Sequence, residues 1–256
     1  MKKVKIELNK HLDIPYLLYY LENSKNCPLV IMGHGFNNDK YEGSDIAIKL
    51  ASKEVCVLSF DLYKQGERYD GFLDKVKSDA EFGYTLFNII KKSNEDLLKL
   101  IDFFKQDDKV DASKIGMLGF SLGANLCFYS FANNKDLKFA VPILGSPDFT
   151  NLLIYSMEKE NESDFKTQEE IKLLEFIKGI DPYDNLVQNE NRHLFIINGT
   201  KDDDVPSRFS ENFYQEIKKR YDLNDSKVEL LITDDNHYVS NEMKDNAIEW
   251  IINNIL

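Results

Sequence analysis

The sequence predicts an α/β protein in which a mostly parallel central sheet is covered by helices on both faces. Near-continuous apolar runs at 29–32, 55–60, 115–120, 139–144, 193–198 and 228–233 have the length and texture of strands buried on both sides. Between several of them lie segments whose apolar residues repeat at helical spacing, and strand–helix alternation of this kind implies parallel strands. A third observation gives the sheet a working edge. The residues that carry chemistry come directly after the runs, and open α/β sheets gather functional groups at the carboxyl ends of their strands.

The elements follow in order. Residues 4–8 alternate apolar and polar, which suggests a half-buried strand, and 16–21 could pair with it as a hairpin. Leu97, Leu100, Ile101 and Phe104 share one helix face. So do Ala124, Cys127, Phe128 and Phe131, and so do Ala247, Ile248, Ile251 and Ile255 at the C-terminal end. Residues 148–184 break the rhythm. They hold no strand-like run, and Ile171, Leu174 and Ile177 repeat at helical spacing. The expectation is a helical insertion acting as a cap over the site, because long connections of this kind often serve as lids. The blander reading is a crossover helix with a long loop. No repeat or linker divides the chain, so 1–256 is read as one domain.

Bulk properties exclude several function classes. With 256 residues and 43% hydrophobic content the chain can bury a sizeable core. A net charge of -12 repels phosphate backbones and anionic lipid, which argues against nucleic-acid or membrane-surface partners. Cys27, Cys56 and Cys127 are scattered and odd in number, so neither a disulfide framework nor a zinc knuckle is expected. No metal or other cofactor is called for. The first residues carry charge alternating with apolar side chains rather than the apolar core of a signal peptide, and a cytoplasmic location is expected. The loop after 29–32 lacks G-x-G-x-x-G, which sets dinucleotide binding aside.

Four strand ends point to nucleophilic catalysis. Gly119-Phe120-Ser121-Leu122-Gly123 is a G-x-S-x-G pentapeptide between an apolar run and an amphipathic helix. Its glycines leave room for a sharp turn that exposes the serine hydroxyl. Serine is a weak nucleophile until a base takes its proton. Of the four histidines, His11 lies in the N-terminal turn, His193 begins a strand at the far end, and His34 reads as a turn organiser. His237, after the last strand, has the position of the base. The base needs an acceptor to fix its tautomer. Asp202, Asp203 and Asp204, after the 193–198 run, offer one. Finally, an oxyanion needs two preorganised donors. The backbone N–H groups of Leu122 and of Phe36, in Gly33-His34-Gly35-Phe36, are the candidates.

With these residues in hand, the chain resembles the small bacterial carboxylesterases of the dienelactone-hydrolase and prolyl-oligopeptidase-like branch of the α/β-hydrolases. The likeness rests on Gly33-His34-Gly35-Phe36, Asp61 with Gly66-Glu67-Arg68, the Ser121 pentapeptide, the stretch from Gly199 to Pro206, and Asn236-His237. The resemblance implies an α/β-hydrolase fold and a Ser121–Asp202–His237 triad, since the family's acid stands three residues after the glycine. It also implies oxyanion donors at Phe36 and Leu122. Two departures lie near the pocket: Asn236 replaces a common glycine, and the Gly66 loop lacks the histidine often found before that glycine. The expected function is hydrolysis of small short-acyl carboxylic esters through an acyl-serine intermediate. A thioesterase or acyltransferase with the same triad is the alternative, and a non-catalytic binding protein is the remaining one. The likeness does not imply peptidase action, because this chain has no room for a propeller domain.

Overall fold

The apolar runs become strands that serve two cores at once. In β3 (Cys27–Gly33), Leu29 and Ile31 enter one hydrophobic cluster while Val30 and Met32 enter the other. In β4 (Cys56–Phe60), Cys56, Leu58 and Phe60 face the first cluster and Val57 the second. Side chains alternate across a strand, so burial on both faces requires an unbroken apolar run rather than a polar–apolar alternation.

The structure is a computed structural model and describes residues 3–159, 167–188, 192–220 and 227–256. The remaining strands are β1 (Val4–His11), β2 (Ile14–Leu21), β5 (Val110–Phe120), β6 (Leu137–Ile143), β7 (His193–Gly199) and β8 (Val228–Thr233). They form one sheet in the order β1-β2-β4-β3-β5-β6-β7-β8. β1 pairs with β2, and β2 with β4, in antiparallel fashion, while every later pairing is parallel. The first two strands are the expected hairpin. Its two turn residues, Leu12 and Asp13, have φ of 48° and 65°, the left-handed pair that matches a two-residue hairpin turn to the twist of its strands.

The helices are α1 (Ser44–Ala51), α2 (Asp79–Phe104), α3 (Leu122–Asn133), α4 (Phe149–Lys159), α5 (Gln168–Lys178), α6 (Tyr183–Val187), α7 (Arg208–Arg220) and α8 (Asn241–Ile255). α1 and α8 cover one face, contributing Ile46, Leu50, Met243 and Ile251 to its core. α2, α3 and α7 cover the other, with Leu97, Leu126 and Phe213. α2 runs for 26 residues, far beyond the face seen at 97–104, because its first turns are capped by Ser78, whose Oγ accepts the Glu81 N–H at 3.2 Å. Its N-terminal half packs against α5 through Gly83, where a Cβ would sit 3.0 Å from Leu173. α1 and α7 are helices beyond those expected from the sequence.

The 148–184 segment contains α4, α5 and the start of α6, without a strand among its described residues. Residues 160–166, including Phe165 of the expected insertion, lie outside the described residues. Among the described residues, no helix is long and apolar enough to cross a membrane. The three cysteines are buried and free, and burial pushes the Cys56 thiol up to about 12, with Cys27 beside it adding to the effect.

Candidate active site

The end of β5 turns directly into α3 through Ser121. Its φ of 50° and ψ of −110° belong to a conformation that a residue with a side chain holds only under constraint. The Ser121 N–H donates to the Ile143 carbonyl at 3.0 Å, which ties the turn to β6. The flanking glycines are required by space. A Cβ on Gly119 would lie 2.0 Å from the Gly123 carbonyl oxygen. One on Gly123 would lie 2.1 Å from the carbonyl oxygen of Gly33, at the end of β3. Both obstacles are backbone, so neither can swing aside.

Three side chains from three strand ends form a continuous chain of hydrogen bonds. Ser121 Oγ lies 2.8 Å from His237 Nε2, and His237 Nδ1 lies 2.7 Å from Asp202 Oδ2. An ionised carboxylate only accepts, so Nδ1 carries the proton and Nε2 is left to take one from serine. The Asp202 side chain is fully buried. Its other oxygen accepts the backbone N–H groups of Val205 at 2.8 Å and Asp204 at 3.0 Å. Burial alone would lower the pKa of His237, but the hydrogen bond and charge of Asp202, with Asp204 behind, hold it above 6.5.

The loop after β3 is pinned on both sides of Phe36. His34 is buried, with Nδ1–H donating to the Gly35 carbonyl at 2.8 Å and Nε2 accepting the Leu62 N–H at 3.1 Å. Burial also lowers its pKa, which favours the neutral ring this pattern needs. Glu42 accepts the Gly35 N–H at 2.5 Å, and Gln65 accepts the Asn37 N–H at 2.9 Å. Behind them the Lys40 ammonium, 1% exposed, donates to Asp61 at 3.0 Å and Glu67 at 2.6 Å. Asp61 also accepts the backbone N–H groups of Lys40 and Glu67. The N–H of Phe36 and that of Leu122 at the start of α3 have no acceptor among the described residues. Phe36, Ser121, Leu122 and His237 all line one cavity of about 950 Å³, whose walls include Phe82 of α2, Met157 of α4 and Leu173 of α5.

The structure therefore brings together all five residues singled out from the sequence. Of the three aspartates, Asp202 alone turns inward. Asp203 and Asp204 are exposed, and the Asp203 carbonyl accepts from Tyr155 and Lys159 of α4. His11 stacks on Phe103, with ring centroids 4.1 Å apart, and His193 packs edge-on against Trp250 at 6.1 Å, so neither approaches the serine. Phe36 lines the cavity, whereas Phe72 is buried behind it. Oxygen and nitrogen atoms of Asp202, Asp204 and His237 lie within 4.8 Å of one another, close enough to surround a cation. Asp202 and His237 already spend those atoms on each other, on Ser121 and on the backbone. Glu42, Gln65 and Lys40 were missed by sequence reasoning, and no local pattern marks them.

The chain is similar to known proteins in both sequence and fold. Residues 87–251 match the family model of the prolyl oligopeptidase family. A Bacillus subtilis (strain 168) protein named as an esterase, YitV, is 26% identical over 255 residues, covering 96% of this chain and 98% of its own. The structure of TT1662 from Thermus thermophilus superposes with a TM-score of 0.74 at 13% identity, over 97% of each chain. Acetyl xylan esterase 1 from Thermoanaerobacterium sp. JW/SL YS485 gives 0.71 at 14% identity, covering 99% of this chain and 88% of its own. The esterase Pf2001 of Pyrococcus furiosus gives 0.65 at 19% identity, covering 100% and 94%. At such identities these structures speak for the fold, while the family match spans well over half of the sequence. Its sheet is that of an esterase-like α/β-hydrolase, and the chain belongs to the prolyl oligopeptidase family of serine hydrolases.

Proposed function

We propose that the protein is a carboxylic-ester hydrolase that works through an acyl-Ser121 intermediate. The observation that carries the reading is the Ser121–His237–Asp202 hydrogen-bond chain, with its nucleophilic end facing a cavity. His237 Nε2 takes the Ser121 proton as Oγ attacks the ester carbonyl. Asp202 holds the ring in the productive tautomer and stabilises the imidazolium that forms. The tetrahedral oxyanion is received by the N–H groups of Phe36 and Leu122, each worth about 3 kcal/mol in the transition state. His237 then hands its proton to the departing alcohol, and a water molecule repeats the sequence on the acyl-enzyme. The substrate is a small ester with a short acyl group, and the remaining cavity accommodates the alcohol. In this reading α4 and α5 act as a cap, since both supply residues to the cavity wall.

Hydrolysis of a p-nitrophenyl ester series from acetate to long-chain acyl tests this directly. The rate should peak at short chains, and Ser121→Ala should lower kcat by roughly a millionfold, as loss of the nucleophile does in other triads. An unchanged rate in that variant removes Ser121 from the mechanism. A thioesterase shares the same triad and is separated from an ester hydrolase by its leaving group. A binding protein without catalysis is separated from both by failure of Ser121 to react with a fluorophosphonate.

A further inference from the structure

The walls of the cavity carry a marked charge imbalance. Glu42, Asp79, Glu169, Glu170 and Asp204 line it, against Lys244 as the one lining ammonium among the described residues. Lys244 is itself engaged, 3.0 Å from Asp45, and the nearby Lys159 lies 3.5 Å from Asp204. The N-termini of α2 and α5 both open onto this cavity and would ordinarily welcome an anion. Both are already satisfied from within the chain. Ser78 caps α2, and Thr167 and Glu170 form a reciprocal capping box on α5. Asp79, Glu81, Glu169 and Glu170 place carboxylates in the first turns, where they oppose the positive helix ends.

We infer that the site selects uncharged or cationic esters and thioesters and rejects polyanionic ones, acyl-coenzyme A included. The inference rests on the hydrolase reading above and names the substrate class of that same site. A cleft lined by one sign of charge concentrates the opposite sign and slows entry of its own, by tenfold or more at low salt. The thioester alternative then survives as chemistry but not with a leaving group bearing several phosphates.

Two substrates isolate the effect. Butyrylthiocholine and butyryl-coenzyme A carry the same acyl group on the same C–S bond. In both, Ser121 displaces the thiol, His237 returns the proton to it, and water releases butyrate. Only the charge and bulk of the leaving group differ, and salt separates those two. At low ionic strength kcat/KM should favour butyrylthiocholine by about tenfold or more. The ratio should shrink as salt is raised toward 1 M, where the screening length falls to about 3 Å. It should also shrink in Glu169→Lys with Asp79→Lys. A ratio of one or less at low salt, or one that neither salt nor charge reversal moves, overturns the inference. p-Nitrophenyl butyrate serves as the uncharged reference. If it is cleaved in a Ser121-dependent way while the ratio fails, only the charge selection is wrong. If it is not cleaved and Ser121 does not react with a fluorophosphonate, the hydrolase reading falls as well.

Discussion

Two turns at the carboxyl edge of the sheet do comparable work by opposite means. The Ser121 elbow is held by shape: Gly119, Gly123 and Gly33 bring three backbone segments so close that a carbon added to Gly119 or Gly123 would strike a carbonyl at about 2 Å. The 34–37 loop beside it is held by charge and hydrogen bonding, with Glu42 and Gln65 each holding one backbone group, His34 holding two, and Lys40 and Asp61 buried behind them. Shape fixes Ser121, which in the proposed mechanism must be strained and immobile. Polar contacts fix the loop that carries the proposed oxyanion donor, where the N–H must stay unpaired until charge develops.

Short of removing Ser121 itself, the largest effect is expected where polarity changes and shape does not. Asp202→Asn is nearly isosteric, but its amide favours the wrong histidine tautomer, and in other triads this costs about 10⁴ in kcat. The pH profile gives a second reading. Asp202 and Asp204 raise the pKa of His237, and the proposed mechanism needs the neutral ring, so wild-type activity should fall as pH drops through a value above 6.5. With Asp202 neutralised, the same limb should move to lower pH in whatever activity remains. A limb that stays in place would mean that a different group controls it.

Gly123→Ala makes the complementary change, altering shape and leaving charge alone. The new methyl group meets the Gly33 carbonyl, so the elbow and the end of β3 must separate. A displacement of about 1 Å at a reacting atom costs on the order of 10²-fold, and kcat of the folded variant should fall by at least that much. Fluorophosphonate labelling of Ser121 should slow in parallel. If kcat is retained, the elbow is less closely packed than its geometry indicates.

Next comes the buried ion pair behind the loop. Lys40→Met leaves Asp61 buried with its two backbone donors but without the ammonium that pairs with its carboxylate. Stability to urea should drop by about 3 kcal/mol, toward the low end for breaking a buried pair. Adding Asp61→Asn should recover part of that loss, because no uncompensated charge remains. No recovery would show that the Asp61 hydrogen bonds, rather than its charge, hold the loop.

The same contrast explains what the sequence revealed. The elbow could be read because its requirements are local: G-x-S-x-G spans five residues between a strand and a helix. Asp202 and His237 could be placed because strand ends are marked by apolar runs, and the choice among three aspartates came only through the family resemblance. His34 reads as a turn organiser and Asp61 belongs to the resemblance, but Glu42, Gln65 and Lys40 could not be found, since Glu42 reaches back 7 residues, Asp61 lies 21 from Lys40, and Gln65 lies 28 from Asn37. No periodicity links such positions. α7 differs: its buried Phe209, Phe213 and Ile217 recur every four residues, a helical repeat that its strongly polar remainder obscures.

The smallest expected effect tests whether charge or hydrogen bonding matters at Glu42. Its carboxyl group is half-buried, and burial raises its pKa despite the Gly35 N–H. Glu42→Gln keeps an acceptor of the same length and removes the charge. A hydrogen bond to a charged group exceeds a neutral one by about 1 kcal/mol, so kcat should fall by about fivefold with KM nearly unchanged. Glu42→Ala, which removes the acceptor and leaves the Gly35 N–H without its partner, should cost more. Equal losses in the two variants would assign the support to the charge. No loss in Gln and a clear loss in Ala would assign it to the hydrogen bond. A change confined to KM would instead make Glu42 part of the cavity wall that substrate touches, rather than a support of the loop that holds the Phe36 N–H in place.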